Sequence, residues 1–153
     1  MCLYTNVVQN CIYFALMKSM QEIEEEIVEE FDLFDDQMDK YEYIIDLGKK
    51  LPPLDEKYKT DDFLVKGCQS KVWLHAYEKE GHIYFETDSN TAITKGIIAL
   101  LVRVLSGQKP KDILNNNLEF IDRIQLRAHL SSQRSNGLTA MIQRMKAYAS
   151  AFA

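Results

Sequence analysis

The stretch TAITKGIIALLVRVLS, residues 91–106, restricts the fold of this chain more than any other part of the sequence. Its apolar side chains cover most of the circumference of a helix, and Lys95 and Arg103 are its only charged residues. A helix that is apolar on nearly every side must be surrounded by other elements to be stable in water. The sequence therefore predicts a central buried helix over 91–106, ended by Gly107, with the rest of the chain packed around it.

Two helices are predicted before this central helix. Residues 20–34 repeat apolar side chains at spacings of three or four, which is typical of an amphipathic helix. We interpret its dense acidic face as solvated, and a docking face for a basic partner is the alternative. A second helix is predicted over 36–47, with Gly48 as its C-cap.

The part of the chain after the central helix is also predicted to be mainly helical. Pro110 is expected to open a short helix near 110–114. Residues 118–130 are ambiguous and fit a short helix with a loop. Ser131 is expected to cap a last helix over 132–150.

Three short segments have the pattern of β-strands. The first covers residues 62–66, while residues 70–78 and 82–87 alternate apolar and polar side chains. The pair Glu80-Gly81 marks a tight turn between the last two strands. Because the connections are short, we predict an antiparallel three-stranded meander packed against several helices, which is an α+β fold.

Length and charge restrict the class of protein. The 153 residues, 46% hydrophobic and 27% charged, fit one globular domain, which we place at residues 17–153. The net charge of −5 argues against broad binding to nucleic acid. No apolar run approaches the roughly 20 residues that span a bilayer, so no membrane association is expected.

Residues 1–16 differ from the rest because they contain two of the three cysteines and no charged side chain. We expect a poorly ordered extension, and a short helix or strand packed on the domain is the alternative. The segment lacks the features of a secretory signal. Three cysteines, an odd number, do not form a disulfide framework, so we expect a cytoplasmic, reducing compartment.

The remaining cysteine, Cys68, lies in the predicted turn between the first two strands. Gly67 before it permits a left-handed backbone angle. Lys66 and Lys71 flank the turn, and positive charge near a thiol favours the reactive thiolate. From these features alone, Cys68 is either a reactive thiol or an incidental loop cysteine.

Other chemistries have less support in the sequence. A cysteine hydrolase needs a base near its nucleophile, and only His75, on a predicted strand face, could approach the thiol. His82 and His129 are not expected to lie near the thiol. The domain predicted at residues 17–153 contains one cysteine, which is too few for a zinc or iron–sulfur site held by this chain alone. No phosphate-binding glycine motif is present.

Several blocks of sequence, in order over about residues 20–150, resemble the SufE-type sulfur acceptor proteins. The block GCQSKVW around Cys68 resembles the family signature G-C-Q-S-x-V-W. The other blocks that resemble family patterns are YIIDLG followed by LP at 43–52, DSNTAITKG at 88–96, and HLSSQRSNGLTAMI at 129–142. The family often has proline where this chain has Ser132, a small departure because serine also begins helices well.

The resemblance implies a role in sulfur transfer. Proteins of this family accept sulfur, as a persulfide on one cysteine, from a cysteine desulfurase similar to SufS or CsdA. They pass it to an iron–sulfur scaffold similar to SufBCD, and the resemblance assigns that cysteine to Cys68. Pyridoxal phosphate belongs to the desulfurase, so this chain is expected to need no cofactor or metal of its own. The implied fold is similar to that of the scaffold protein IscU, and a homodimer is compatible with it.

The resemblance also implies that the cysteine is withdrawn into an apolar pocket in the free protein and swings out on docking. The thiol is then a poor nucleophile when free and a good one when docked. We expect Trp73 to pack in the core. Residues expected to support the cysteine loop are Gly67, Gln69, Ser70 and Asp88. Residues expected to contact a partner are Lys66, Lys71 and Arg134.

Two further functions remain open at this point. One is a binding module that regulates a desulfurase by contact alone. The other is a cysteine-dependent hydrolase on an unrelated fold. A thiol that carries sulfur must be essential for the stimulation of a desulfurase, whereas a contact regulator does not need it.

Overall fold

The computed structural model describes residues 18–153, and the predictions made for residues 1–16 lie outside these described residues. The elements in chain order are helices α1 (Met20–Asp32) and α2 (Gln37–Lys49), strands β1 (Val72–Lys79) and β2 (His82–Ser89), and helices α3 (Ala92–Leu105), α4 (Pro110–Asn115), α5 (Phe120–Arg123) and α6 (Ser132–Phe152). Short 3-10 turns form at Glu56–Tyr58, Asp61–Phe63 and Arg127–His129. The predicted α+β class is confirmed.

Helix α3 is the predicted central helix. Ten of its 14 residues are buried, and it packs against α1, α2, β2 and α6. The sheet contributes its inner face to the same core, where Val72, Leu74, Ile83 and Phe85 are buried as the alternation predicts. One hydrophobic core therefore surrounds α3. The elements that form the candidate functional site pack close to this helix.

The crossing of α2 and α3 is unusually close, and two glycines make it so. A Cβ atom on Gly96 would lie 2.0 Å from the carbonyl oxygen of Ile44, and one on Gly48 would lie 2.7 Å from the backbone nitrogen of Gly96. Only glycine allows the two backbones to approach in this way. The prediction that Gly48 is the C-cap of α2 is therefore wrong, because α2 continues to Lys49 and Gly48 serves the helix contact.

The predicted three-stranded sheet is wrong in one strand: the described residues form a two-stranded antiparallel sheet, β1 with β2. The pairing runs from Val72 opposite Ser89 to Lys79 opposite His82. The predicted tight turn Glu80-Gly81 is confirmed, with φ of 53° and 79° at its two residues. Positive angles at both positions are characteristic of the type I′ turn that matches the twist of a hairpin.

The segment predicted as the first strand, residues 62–66, is mostly a turn. Asp61–Phe63 forms a 3-10 turn, and only Leu64 makes a bridge to Trp73, followed by a bond from the Val65 amide to the Val72 carbonyl at 2.8 Å. Aspartates are disfavoured in strands and favoured in turns. They leave two residues able to pair before the chain turns away from the sheet.

Arg103, one of the two charged residues of the central helix, is paired with a carboxylate of α1. Arg103 donates two hydrogen bonds to Glu30 of α1, at 2.6 and 2.8 Å, and Tyr43 of α2 donates a third at 2.7 Å. Burial together with the Glu30 carboxylate raises the pKa of Tyr43 to about 12. Part of the acidic face of α1 thus joins three helices. Glu25 pairs with Arg123 of α5, whereas Glu22 and Glu29 are exposed as expected for a solvated face.

The remaining helices agree with the sequence analysis. Pro110 opens α4, and Ser131 caps α6 by accepting a hydrogen bond from the Arg134 amide at 3.3 Å. The ambiguous region 118–130 contains α5 and a 3-10 turn. Among the helices of residues 18–153, none is long and apolar enough to cross a membrane.

Replacement of Gly96 should test the α2–α3 crossing. Alanine is normally the better helix former, but the Cβ of Gly96→Ala overlaps backbone atoms that cannot move without separating the helices. We expect a loss of about 3 kcal/mol or more in the free energy of unfolding, measured by urea denaturation. The control Ala147→Gly, at an exposed position of α6, should cost only about 1 kcal/mol. Equal stability of Gly96→Ala and the unchanged chain would contradict this packing.

Candidate functional site

Cys68 lies in the loop that joins the Leu64 bridge to β1. Gly67 immediately before it has φ of +94°, in the region that favours glycine, as the sequence predicts. The angle turns the chain so that the side chain of Cys68 points back to helix α6, and the residue is half-buried. The cysteine therefore lies at the bend of a loop, with its sulfur directed inward.

Both ends of this loop are fixed to the sheet and its neighbours. At the first end, the Val65 amide bonds to the carbonyl of Val72. At the second, the Lys71 amide donates to Asn90 Oδ1 at 3.0 Å, and Ser89 Oγ donates to the Lys71 carbonyl at 2.8 Å. These bonds hold the stems of the loop.

The tip, residues 66–69, is held much less firmly. Among the hydrogen bonds of residues 18–153, the tip makes a single one, from Cys68 Sγ to the carbonyl oxygen of Gly137 at 3.5 Å. A thiol is a weak donor. The tip can therefore leave its seat without breaking a strong interaction.

The sulfur occupies a small recess between the loop, α3 and α6. Ile97 and Met141 supply apolar surface, and Ser70 and Thr94 supply hydroxyls. On α6 the lining also includes Gln133, Arg134 and Gly137. A Cβ on Gly137 would lie 3.5 Å from Sγ, so the absent side chain leaves space beside the sulfur. Burial raises the pKa of the Cys68 thiol, so the withdrawn thiol ionises less readily than an exposed one, and the thiolate is the reactive form.

A cluster of three hydroxyls, Ser70, Thr91 and Thr94, lies beside the cysteine. Ser70 Oγ accepts hydrogen bonds from Thr91 Oγ1 at 2.7 Å and from Thr94 Oγ1 at 3.2 Å. Thr94 is buried at the start of α3, so the cluster ties the loop to the central helix. The sequence analysis named Ser70 for loop support but missed both threonines, because their positions 21 and 24 residues further on gave no local signal.

Asp88 lies at the end of β2 and does not line the cysteine recess. Its carboxylate pairs with Lys59 and Lys95, each at 3.2 Å, and accepts the Ser89 amide at 2.8 Å. Burial acts to raise the pKa of Asp88, but the hydrogen bond and the two lysines outweigh burial and hold this pKa below its usual range. Asp88 thus joins the 3-10 turn, the sheet and α3 next to the stem of the loop.

The residues predicted to contact a partner surround the recess. Lys66 and Lys71 are exposed on either side of Cys68, and Arg134 lies partly buried in the wall. No ion pair involves any of the three within residues 18–153. Gln69 is exposed at the rim. The surface around the sulfur is therefore positively charged, although the whole chain carries −5.

His75, the proposed base of a hydrolase, does not line the recess. Its ring stacks on Tyr58 with centroids 3.8 Å apart, and Nδ1 lies 3.1 Å from a carboxylate oxygen of Glu86. The other two histidines are not in the lining either. Within residues 18–153, no group of three potential ligands is arranged to hold a metal ion.

Asn90 and Ser89 hold the loop stem, a role that the sequence analysis did not assign to them. The N-cap of α3 is Thr91, whose side chain makes no capping bond, and Asn90 and Ser89 instead bind Lys71 at the loop stem. The residue that they bind lies 18 to 19 positions earlier in the chain, so no local pattern indicated this role.

Comparison with known proteins gives consistent matches. The sequence profile of the family described as SufE, Fe-S metabolism associated domain, matches residues 25–149. An uncharacterised SufE-like protein of Rhizobium meliloti (strain 1021) is 36% identical over 130 residues, which cover 82% of this chain and 93% of that protein. SufE-like protein 1, chloroplastic/mitochondrial, of Arabidopsis thaliana is 39% identical over 123 residues, or 80% of this chain and 33% of the longer plant protein.

A solved structure supports the fold independently. The solution structure of a hypothetical protein from Thermus thermophilus superposes with a TM-score of 0.71 at 20% sequence identity. The match covers 85% of this chain and 95% of the other. At this identity the likeness concerns the arrangement of helices and sheet.

The raised pKa of Cys68 gives a prediction for stability against pH. Because the folded pKa exceeds the unfolded one, this stabilisation is full below the unfolded thiol pKa and is lost as pH rises through the folded pKa. Cys68→Ala should therefore flatten the alkaline fall in the free energy of unfolding, measured by urea denaturation at a series of pH values. Identical alkaline slopes in both chains would show that the thiol proton is bound no more tightly in the folded state.

Replacement of Gly67 should displace the Cys68 thiol from the recess. The alanine of Gly67→Ala would have a strained positive φ and a Cβ 3.3 Å from that of Ala140 on α6. If opening the tip relieves about 1 kcal/mol of this strain, Cys68 should react up to about fivefold faster with iodoacetamide. Peptide mapping would separate Cys68 from Cys2 and Cys11.

Gly81→Ala is the matched control, since it has φ of +79° but no atom within 4 Å of the added Cβ. It should lose similar stability and leave the alkylation rate of Cys68 unchanged. The same rate in Gly67→Ala as in the unchanged chain would mean that this glycine does not hold the thiol in its seat.

Proposed function

Since the chain belongs to the SufE family, whose role is in Fe–S metabolism, we propose that it carries sulfur on Cys68. In this proposal a cysteine desulfurase supplies the sulfur, and an iron–sulfur scaffold complex receives it. The same contact stimulates the desulfurase, because removal of the sulfur frees its cysteine for another turnover.

The observation that supports this proposal most is how the loop of Cys68 is held. Its stems are fixed by backbone and side-chain bonds at Val65 and Lys71, while the tip is held by one weak bond from the thiol itself. A carrier must present its sulfur to two other proteins and shelter it between encounters. A loop with fixed stems and a loosely seated tip meets both needs.

The transfer step is a thiol–persulfide exchange. The Cys68 thiolate attacks the terminal sulfur of the desulfurase persulfide, a new S–S bond forms, and the old S–S bond breaks. The electron pair of the broken bond leaves with the desulfurase cysteine as its thiolate. No net oxidation occurs, so this chain needs no redox cofactor, and pyridoxal phosphate acts in the desulfurase alone.

The charges around the recess suit this step in two ways. Lys66, Lys71 and Arg134 form a positive collar that would attract an acidic surface around the active site of the desulfurase. When the tip moves outward, the burial that raises the thiol pKa is relieved, and the flanking lysines favour the thiolate. Docking would therefore activate the nucleophile.

A second candidate is a protein that regulates the desulfurase by contact without carrying sulfur. The exposed positive collar is compatible with it, because a docking surface does not require a thiol. A cysteine hydrolase has less support, since no histidine lines the recess formed by the described residues.

Cys68→Ser separates these functions. We expect the variant to bind the desulfurase with unchanged affinity but to lose its stimulation, measured as sulfide released from cysteine with a reductant. Intact mass after incubation with desulfurase and cysteine should show one added sulfur on the unchanged chain, mapped to Cys68. Full stimulation by Cys68→Ser would favour the contact regulator and reject the carrier.

A further inference from the structure

The two most exposed large apolar side chains of the described residues lie close together in the sequence, where α1 connects to α2. Leu33, the C-cap of α1, is 81% exposed, and Met38, in the first turn of α2, is 61% exposed. The next in order, Tyr77 and Phe152, are exposed by 40% and 36%. We call the connection that carries Leu33 and Met38 the apolar corner. Exposed apolar side chains that are grouped, rather than scattered singly, often mark a contact with another protein.

The apolar corner is firmly held, so a loose connection does not explain the exposure of its side chains. Phe31 and Phe34 pack on Tyr43, with ring centroids 5.3 and 5.0 Å away. Because these two phenylalanines take the inward positions, Leu33 between them is directed to solvent. The backbone amide of Met38 is bound by the N-cap of α2 at 3.0 Å, and its side chain continues the apolar repeat of α2 beyond the edge of the core.

Carboxylates are concentrated at the apolar corner. Five of the residues from 32 to 42 are acidic, and only Lys40 is basic. The acidic residues, all of them exposed, are Asp32, Asp35, Asp36, Asp39 and Glu42. Within residues 18–153, none of these five forms an ion pair. Their negative charge is therefore available to a partner that carries positive charge.

The apolar corner lies toward the opposite end of α3 from the recess of Cys68. Thr94, in the first turn of α3, lines the recess, whereas Arg103, in the last turn, bonds to Glu30 of α1. Nine residues of helix, or about 13.5 Å, separate Thr94 from Arg103. Glu30 precedes Leu33 by three residues, so the corner is near this far end. A protein bound at the apolar corner can therefore leave the recess uncovered.

We propose that the apolar corner is a docking surface for a partner protein that presents apolar side chains between lysines or arginines. Leu33 and Met38 would be buried against the apolar side chains, and the basic residues would pair with the surrounding carboxylates. Nucleic acid and anionic membranes are repelled by these carboxylates, so the occupant is a protein. The positive collar around Cys68 attracts an acidic surface instead. The two surfaces thus select partners of opposite charge, and this proposal does not depend on the role of Cys68.

A synthetic amphipathic peptide, with leucines on one helical face and lysines on the other, is a probe of this chemistry. Its binding to the full chain is measured by fluorescence anisotropy at a series of salt concentrations. The double variant Leu33→Ser with Met38→Ser should bind the peptide about tenfold more weakly or worse, because two apolar side chains are no longer buried. The double variant Asp35→Asn with Asp39→Asn should also bind more weakly and should reduce the dependence of the affinity on salt.

Matched variants separate the apolar corner from a general attraction of the peptide to an acidic chain. Tyr77→Ser with Phe152→Ser removes the other two exposed apolar side chains. Asp61→Asn with Asp62→Asn removes two exposed aspartates outside the corner. Both double variants should bind the peptide as tightly as the unchanged chain. A peptide with serine in place of leucine should bind weakly to every variant.

Equal affinity of the unchanged chain and the Leu33→Ser, Met38→Ser variant would overturn the proposal, since charge alone would then explain the binding. A dimer of the unchanged chain that becomes a monomer in this variant, measured by sedimentation, would also overturn it, because the corner would then join two copies of the chain. The saturating peptide should leave the rate of Cys68 alkylation by iodoacetamide unchanged, and a slower rate would contradict two separate surfaces. Cys68→Ser should bind the peptide normally, so failure of the proposed function would leave this proposal standing.

Discussion

The close contact of α2 with α3 at Gly48 and Gly96 fixes the central helix, and the candidate site depends on where that helix lies. Consecutive residues of α3 have three separate roles. Thr94 reaches the hydroxyl cluster of the cysteine loop, Lys95 pairs with Asp88, and Gly96 permits the helix crossing. A shift of α3 would therefore disturb the core and one wall of the recess together, since packed interiors transmit strain.

The site balances protection of a thiol against its reactivity. Seated in the recess, Cys68 has a pKa raised by burial, which disfavours the thiolate needed for attack and for oxidation. The tip is held by one weak bond, so a partner has little to break on docking. When the tip moves outward, the positive charge of Lys66 and Lys71 would act on a thiol that is no longer buried. Reactivity would thus depend on contact with the correct partner.

Much of the fold could be predicted because its signals are local. The apolar circumference of α3, the Glu80-Gly81 turn and the Ser131 cap each involve residues close in sequence, and the structure contains all three. The errors have another origin. Gly48 resembled a helix end because glycine commonly ends helices, yet its role is a contact with Gly96, far along the chain. Residues 62–66 have the composition of a short strand, but Asp61 and Asp62 favour a turn.

The sequence by itself determined which residue could carry the chemistry. Cys68 follows a glycine, lies between two lysines, and belongs to a block that resembles a known family. It also indicated where a positive φ is possible, because glycine permits an angle that most side chains disfavour. Only the tertiary structure decided what surrounds the sulfur. Gly137, Thr91 and Thr94 reach the loop from distant parts of the chain, and contacts between distant residues leave no periodic pattern in the sequence.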